Sequence, residues 1–229
     1  MPATAPRYTA AVFDMDGLLL DSERPVRAAW LDAAAQLGVA LTDEDYRSLI
    51  GLNHADSHAR LLALFGGQAS RLATVRERAD ALLAQRLGER PFDVKPGARA
   101  LLDGLRRHGV PCAVASSTGG VELRRRLCAA GLLGYFDAVC AGDDVRAGKP
   151  DPALYRLALQ RLGVAAARSL AFEDSGHGVR SALAAGLAVV AVPDLHAPEA
   201  LWLSRCLAVL PSLQAACEHS RDWFGAVCD

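Results

Sequence analysis

The stretch AVFDMDGLLLDSE, residues 11–23, sets two carboxylates, Asp14 and Asp16, at the end of an apolar run. Charges in such a place are costly unless they are paired, hydrogen-bonded or bound to a metal. Three more short apolar runs end in polar groups. VPCAVASST closes on Ser116, Ser117 and Thr118; AVCAGDD closes on Gly142, Asp143 and Asp144 ahead of Lys149; SLAFED closes on Glu173 and Asp174. Acids, small hydroxyls and one lysine suit a hard cation beside a phosphate, because Mg2+ takes oxygen ligands and pairs one or two carboxylates with substrate phosphate. Each feature alone has a plainer reading: a DxD can be a turn, and Asp174 before Ser175 and Gly176 can cap a helix. Together they would need four coincidences at one edge of a sheet.

Lys149 carries an argument internal to this chain. It is one of only two lysines beside 23 arginines, so a lysine here marks a place for a compact ammonium where a planar fork does not fit. The other, Lys95, lies in RPFDVKPG before Pro96 and reads as a solvated surface residue.

The elements that would position these groups follow from patterning. From residue 110 onward, continuous apolar runs alternate with helix-length segments, the pattern of an α/β, Rossmann-like parallel sheet covered by helices on both faces. The first strand, about 8–14, joins the same sheet, and the last run, AVVAVP, is followed by a helical tail. In such a sheet ligands bind beyond the carboxyl ends of the strands, so the four polar ends meet. About ninety residues separate the first strand from the next, against the dozen or so a parallel crossover needs. The intervening residues read as helical: in ERPVRAAWLDAAAQLG the apolar Val26, Trp30, Ala33 or Ala34, and Leu37 line one face, and Gly38 ends it. The expected organisation is a catalytic core of 1–21 and 93–229 with an inserted helical cap at 22–92.

The 229 residues, 52% hydrophobic and 22% charged, are enough for a sizeable core. A net charge of -1 gives no global pull toward nucleic acid or an anionic membrane, so an anionic ligand must be met by a local site. The start, MPATAPRYTA, has no leader pattern and no window approaches the ~20 apolar residues of a membrane span, so a cytoplasmic protein is expected. The six cysteines include no CxxC pair and read as reduced, packed thiols.

Several other patterns fail. GDDVRAGKP has the wrong glycine spacing for a phosphate loop of the Walker type, and Pro150 stands where a hydroxyl should be. GHG at 176–178 is too little for a dinucleotide fingerprint. The run Arg124 to Arg126 reads as a solvated helix face, and His54 and His58 as surface or cap-pocket histidines.

FDMDGLLLDSE, VASST, GKPDP and FEDSGHGV resemble, in order and spacing, the four motifs of the haloacid dehalogenase-like (HAD) phosphohydrolases, in the branch with a helical cap after the first motif. Within it the first motif looks most like those of 2-deoxyglucose-6-phosphatases and pseudouridine-5'-phosphatases, with β-phosphoglucomutases close behind. The resemblance implies a phosphatase for a small phosphorylated metabolite. Asp14 would be the nucleophile and Asp16 the acid/base. Mg2+ would be held by Asp14, the backbone carbonyl of Asp16, Asp174, and Glu173 directly or through water. Ser116 and Lys149 would hold the transferring phosphoryl group, with Gly17, Ser117 and Thr118 around it. In the cap, Asn53 and His54 would face the substrate, with Arg24 at the hinge. Asp16 argues against a carbon-halogen hydrolase, which lacks that second carboxylate. Against a mutase, Val26 stands where those relatives have a histidine, His54 where they have an arginine, and Gly119-Gly120 where they have Lys-Asn. A catalytically silent binding protein of the same fold is the alternative of another class. A monomer is expected.

Overall fold

The computed structural model describes residues 6–49, 54–88, 90–225 and 228. Strand β1 (Ala10–Phe13) is followed by helices α1 (Glu23–Gln36), α2 (Asp43–Arg47), α3 (His54–Leu64) and α4 (Ala69–Leu87). Then come α5 (Ala98–Arg107), β2 (Cys112–Ala115), α6 (Gly120–Ala129), β3 (Ala138–Cys140), α7 (Ala153–Leu162), β4 (Ser169–Glu173) and α8 (Gly176–Ala184). The chain closes with β5 (Ala188–Ala191), α9 (Ala200–Leu203), β6 (Ala208–Val209) and α10 (Leu213–Phe224). The six strands form one parallel sheet in the order β3-β2-β1-β4-β5-β6.

The tail is therefore not wholly helical. The two residues of β6 add an edge strand, too short for its period to be read, and α5 falls outside the strand-and-helix alternation that begins at residue 110.

Both faces of the sheet are covered, which is why its strands are continuously apolar. Ala11, Phe13, Cys112, Val114, Leu170 and Phe172 point to one side, where Leu101, Leu123 and Trp223 of α5, α6 and α10 pack on them. Val12, Ala113, Ala115 and Ala171 point to the other and meet Leu154, Tyr155 and Val179 of α7 and α8. Between β1 and β2 the helices bury a third cluster of their own, including Trp30, Ala33, Leu61, Phe65, Leu72 and Val75.

The strand order reverses between β1 and β4, the point where open parallel sheets bind ligands. Phe13 stands opposite Phe172 with rings stacked 4.8 Å apart, and the Asp14 amide donates to the Phe172 carbonyl at 3.1 Å. The residues that follow these two phenylalanines are thereby forced together. After β1 the chain makes a tight turn, with the Gly17 amide donating to the Leu20 carbonyl at 2.9 Å, and Leu20 bridges Val94 on the return segment. The two connections to the helical insert thus run side by side, with Asp21 N–H donating to the Asp93 carbonyl and Lys95 N–H to the Leu19 carbonyl. No helix among the described residues is long and apolar enough to cross a membrane.

Candidate active site

A cavity of about 140 Å3 opens at the strand ends, lined by Asp14, Asp16, Glu23, Ser116, Ser117, Lys149, Asp174, Ser175 and His177. Asp14, Ser116, Lys149, Glu173 and Asp174 are all buried. Lys149 Nζ donates to Asp14 Oδ1 at 2.5 Å and to Glu173 Oε1 at 2.6 Å. The Tyr155 hydroxyl donates to the same Glu173 oxygen at 2.7 Å, and the Ser175 amide and hydroxyl reach the other at 3.3 and 3.2 Å. Glu173 is thus an anchor for the lysine as well as an acid.

Asp14, Glu173 and Asp174 each offer an oxygen within 4.8 Å of the others'. Burial pushes the Asp14 carboxyl up to about 8, with Lys149 pulling it down and Glu173 adding to the rise. Asp174 is driven well above the usual carboxylate range by burial and then by Asp14 and Glu173. Burial works to lower Lys149, but Asp14 and Glu173 outweigh it and hold the ammonium above the ordinary lysine value. One ammonium thus faces three buried carboxylates, an excess of negative charge that a cation with oxygen ligands would balance.

Two glycines make room for this packing. Gly17 has φ +82°, and a Cβ on it would fall 2.2 Å from Asp174 Oδ2. A Cβ on Gly178, near the start of α8, would fall 1.9–2.0 Å from the Glu173 carboxyl.

Asp16 is gripped by four donors. Ser22 Oγ (2.6 Å) and Arg126 Nη1 (2.7 Å) donate to Oδ1; Thr118 Oγ1 (2.7 Å) and, at a long 3.5 Å, Ser116 Oγ reach Oδ2. Thr118 therefore serves Asp16 and is not among the cavity-lining residues, whereas Ser116 and Ser117 are. Arg24 is exposed and pairs with Asp21 (2.9 Å) and Asp194 (2.7 Å) beside the hinge. Asn53 and the side chain of His54 lie outside the described residues. Asp143 accepts from the Gly120 amide at 2.9 Å and Asp144 from the Ala141 amide and Arg161, so the β3 end supplies loop anchors, and Lys149 alone reaches the cavity from that loop.

Two sequence expectations are corrected. Arg126 is not part of a solvated face: its side chain is 18% exposed, pairs with Asp16 and Glu122, and stacks on Phe92 with its guanidinium 5.0 Å from the ring centre. Lys95 is not a free surface residue either, since its ammonium meets the buried Asp194 carboxylate at 2.6 Å. Three further cavity residues, Glu23, Ser175 and His177, sit inside the quoted motifs with no role in the site read from the sequence. Glu23 Oε2 is buried without a hydrogen-bond partner among the described residues, and burial with Asp194 nearby pushes this carboxyl up to about 7. Ser175 and His177 open α8, where burial and Arg180 lower the histidine. All six cysteines are free thiols.

An open parallel sheet with an acid-lined, lysine-bearing cavity at its switch point is the framework of an α/β enzyme that handles an anion beside a cation. Residues 8–186 match the family model described as haloacid dehalogenase-like hydrolase. A phosphorylated carbohydrates phosphatase of Thermotoga maritima is 33% identical over 78% of this chain and 82% of its own. Fructose-1-phosphate phosphatase YqaB of Escherichia coli is 33% identical over 81% and 97%. The crystal structure of CbbY from Rhodobacter sphaeroides with phosphate superposes with a TM-score of 0.74 at 29% identity, covering 90% and 95%. The chain belongs to the haloacid dehalogenase-like hydrolase family. It is an enzyme of that family's phosphatase branch, a phosphoric monoester hydrolase.

Proposed function

We propose that this chain is a Mg2+-dependent phosphatase of a small phosphorylated metabolite, a phosphorylated carbohydrate above all, working through an aspartyl phosphate on Asp14. The observation that carries the reading is the buried Asp14, in contact with Lys149 and within 4.8 Å of two further buried acids, at the floor of a cavity lined by Ser116 and Ser117. Asp14 attacks phosphorus as the bond to the leaving oxygen breaks, and Asp16 gives that oxygen its proton. Asp16, now a carboxylate, takes a proton from water. The water oxygen bonds to phosphorus, the Asp14–phosphorus bond breaks, and phosphate departs with Asp14 restored. Lys149 and Ser116 hold the phosphoryl oxygens through both steps.

Asp14, Asp174 and the Asp16 carbonyl would hold Mg2+, with Glu173 at its edge. The ion would neutralise charge between carboxylate and phosphate. Residues 22–92 serve as a helical cap over the site, with Asn53, His54 and Arg24 the candidates to read the substrate beyond its phosphate and Gly17 and Thr118 supporting the phosphate pocket. The carbohydrate assignment is supported by what the relatives are named for. The test is phosphate release from p-nitrophenyl phosphate and from a panel of sugar phosphates, with Mg2+ and with EDTA. Release that EDTA abolishes supports the reading; no release from any phosphomonoester in Mg2+ overturns it in favour of a silent binding protein.

A further inference from the structure

Of the three arginines in the run at 124–126, one turns inward. Arg125 keeps a side chain 64% exposed and pairs with Glu122, one turn back on α6. Arg126 bridges two acids with different ends of its fork: Nε donates to Glu122 Oε1 at 2.8 Å and Nη1 to Asp16 Oδ1 at 2.7 Å. Its guanidinium lies on the buried Phe92, in the segment returning from the helical insert. Arg126 and Phe92 line a separate groove of about 390 Å3, and neither lines the cavity that holds Asp14. The guanidinium therefore approaches Asp16 from outside the cavity.

The two oxygens of Asp16 differ accordingly. Oδ1 is held by Ser22 and Arg126, neither of which lines the cavity. Oδ2 is held by Thr118 and, weakly, by Ser116, and Ser116 does line it. We propose that Arg126 is the positioning residue of the acid/base: with Ser22 it fixes Oδ1, so that Oδ2 is the oxygen that passes the proton to and from the substrate. This rests on the phosphatase reading above and adds to it a residue that never meets the substrate. Both bonds end on a carboxylate, but the arginine adds a full positive charge and a second anchor on Glu122, so it sets the orientation more firmly than the serine does. Arg126 meets the two acids with two different nitrogens, whereas a lysine would have to serve both from a single point and holds the pair less rigidly.

The experiment uses leaving groups that differ in their need for a proton. p-Nitrophenolate leaves readily as an anion, whereas phenolate is more basic and relies on an acid. kcat/KM is measured for p-nitrophenyl phosphate and phenyl phosphate in saturating Mg2+, for the parent, Arg126→Lys and Arg126→Met. The expected result is a fall of about 10- to 100-fold for phenyl phosphate in Arg126→Met, with p-nitrophenyl phosphate within about threefold of the parent, as loss of aimed acid catalysis dictates. Arg126→Lys falls between. The ratio is taken within one protein, so a fraction misfolded cancels. An unchanged ratio, whether both substrates fall together or neither falls, overturns the proposal, and Arg126→Lys carries the test if Arg126→Met does not fold. Failure of the phosphatase reading is seen separately, as turnover of neither substrate by the parent.

Discussion

Gly178 does not line the cavity that holds Asp14, yet Gly178→Ala should cost both stability and turnover. The added Cβ would lie 1.9–2.0 Å from the Glu173 carboxyl, which is fully buried and held by Lys149, Tyr155 and Ser175. To reach an ordinary contact of 3.4 Å, one group must retreat by about 1.5 Å. Overpacking of this kind costs about 1–3 kcal/mol, and weakening a buried hydrogen bond to a charged group adds about 1.5–3 kcal/mol. A loss of order 3 kcal/mol is expected, which at a typical urea m-value of about 2–3 kcal/mol/M moves the midpoint down by about 1–1.5 M. Displacing Glu173 also releases one of the two carboxylates that fix Lys149, and misplacing a catalytic group by about 1 Å costs about a hundredfold in rate. The assays are urea unfolding and p-nitrophenyl phosphate turnover at a temperature where the variant is folded. Gly176→Ala is the control: it lies two residues earlier, where the nearest atoms to a new Cβ are 3.8 Å away, and should change stability by less than about 1 kcal/mol. Parent-like stability and turnover in Gly178→Ala would refute the argument that Glu173 is fixed in place and fixes the lysine.

Lys149→Arg keeps the charge but replaces a point donor buried between Asp14 and Glu173 with a wider fork, and turnover should fall about tenfold to a thousandfold; kcat equal to the parent's would place Lys149 outside the chemistry. Asp16→Asn should slow release of basic leaving groups and let the aspartyl phosphate accumulate, read by acid quench and intact mass; a normal steady-state rate would remove Asp16 from the acid/base role. In metal-free protein, Asp14 (raised to about 8) and Asp174 (also raised) bind protons in the folded state that the unfolded chain has released. Folded pKa above unfolded means stability falls as pH climbs from about 4 toward 8, so the urea midpoint should be lower at about pH 8 than at about pH 5, and added Mg2+ should narrow that gap. A gap that Mg2+ leaves unchanged would argue against a cation among these acids.

The strands and their polar ends were legible because burial on both faces writes itself as continuous apolar runs, and because the catalytic groups directly follow β1, β2 and β4 in sequence. Arg126 was not, since Glu122 and Arg126 stand four apart on a helix, the spacing of an ordinary surface ion pair. Only the fold brings Asp16, 110 residues away, to the other end of the fork. Lys95 misleads for the same reason: its partner Asp194 is 99 residues distant. Tyr155 reads as one more apolar position of α7, and its hydroxyl finds Glu173 only through the packing of that helix under β4. Glu23 closes a recognisable motif, but its orphan oxygen is a property of the cavity and of no local pattern.

The central claim is that the phosphoryl group passes through Asp14. Parent protein mixed with p-nitrophenyl phosphate and Mg2+, quenched in acid within a turnover and digested for mass analysis, should carry one phosphoryl group on the peptide holding Asp14. Asp14→Asn should carry none and release no p-nitrophenolate. A phosphoryl group on another residue, or turnover surviving in Asp14→Asn with deamidation excluded, would contradict the account.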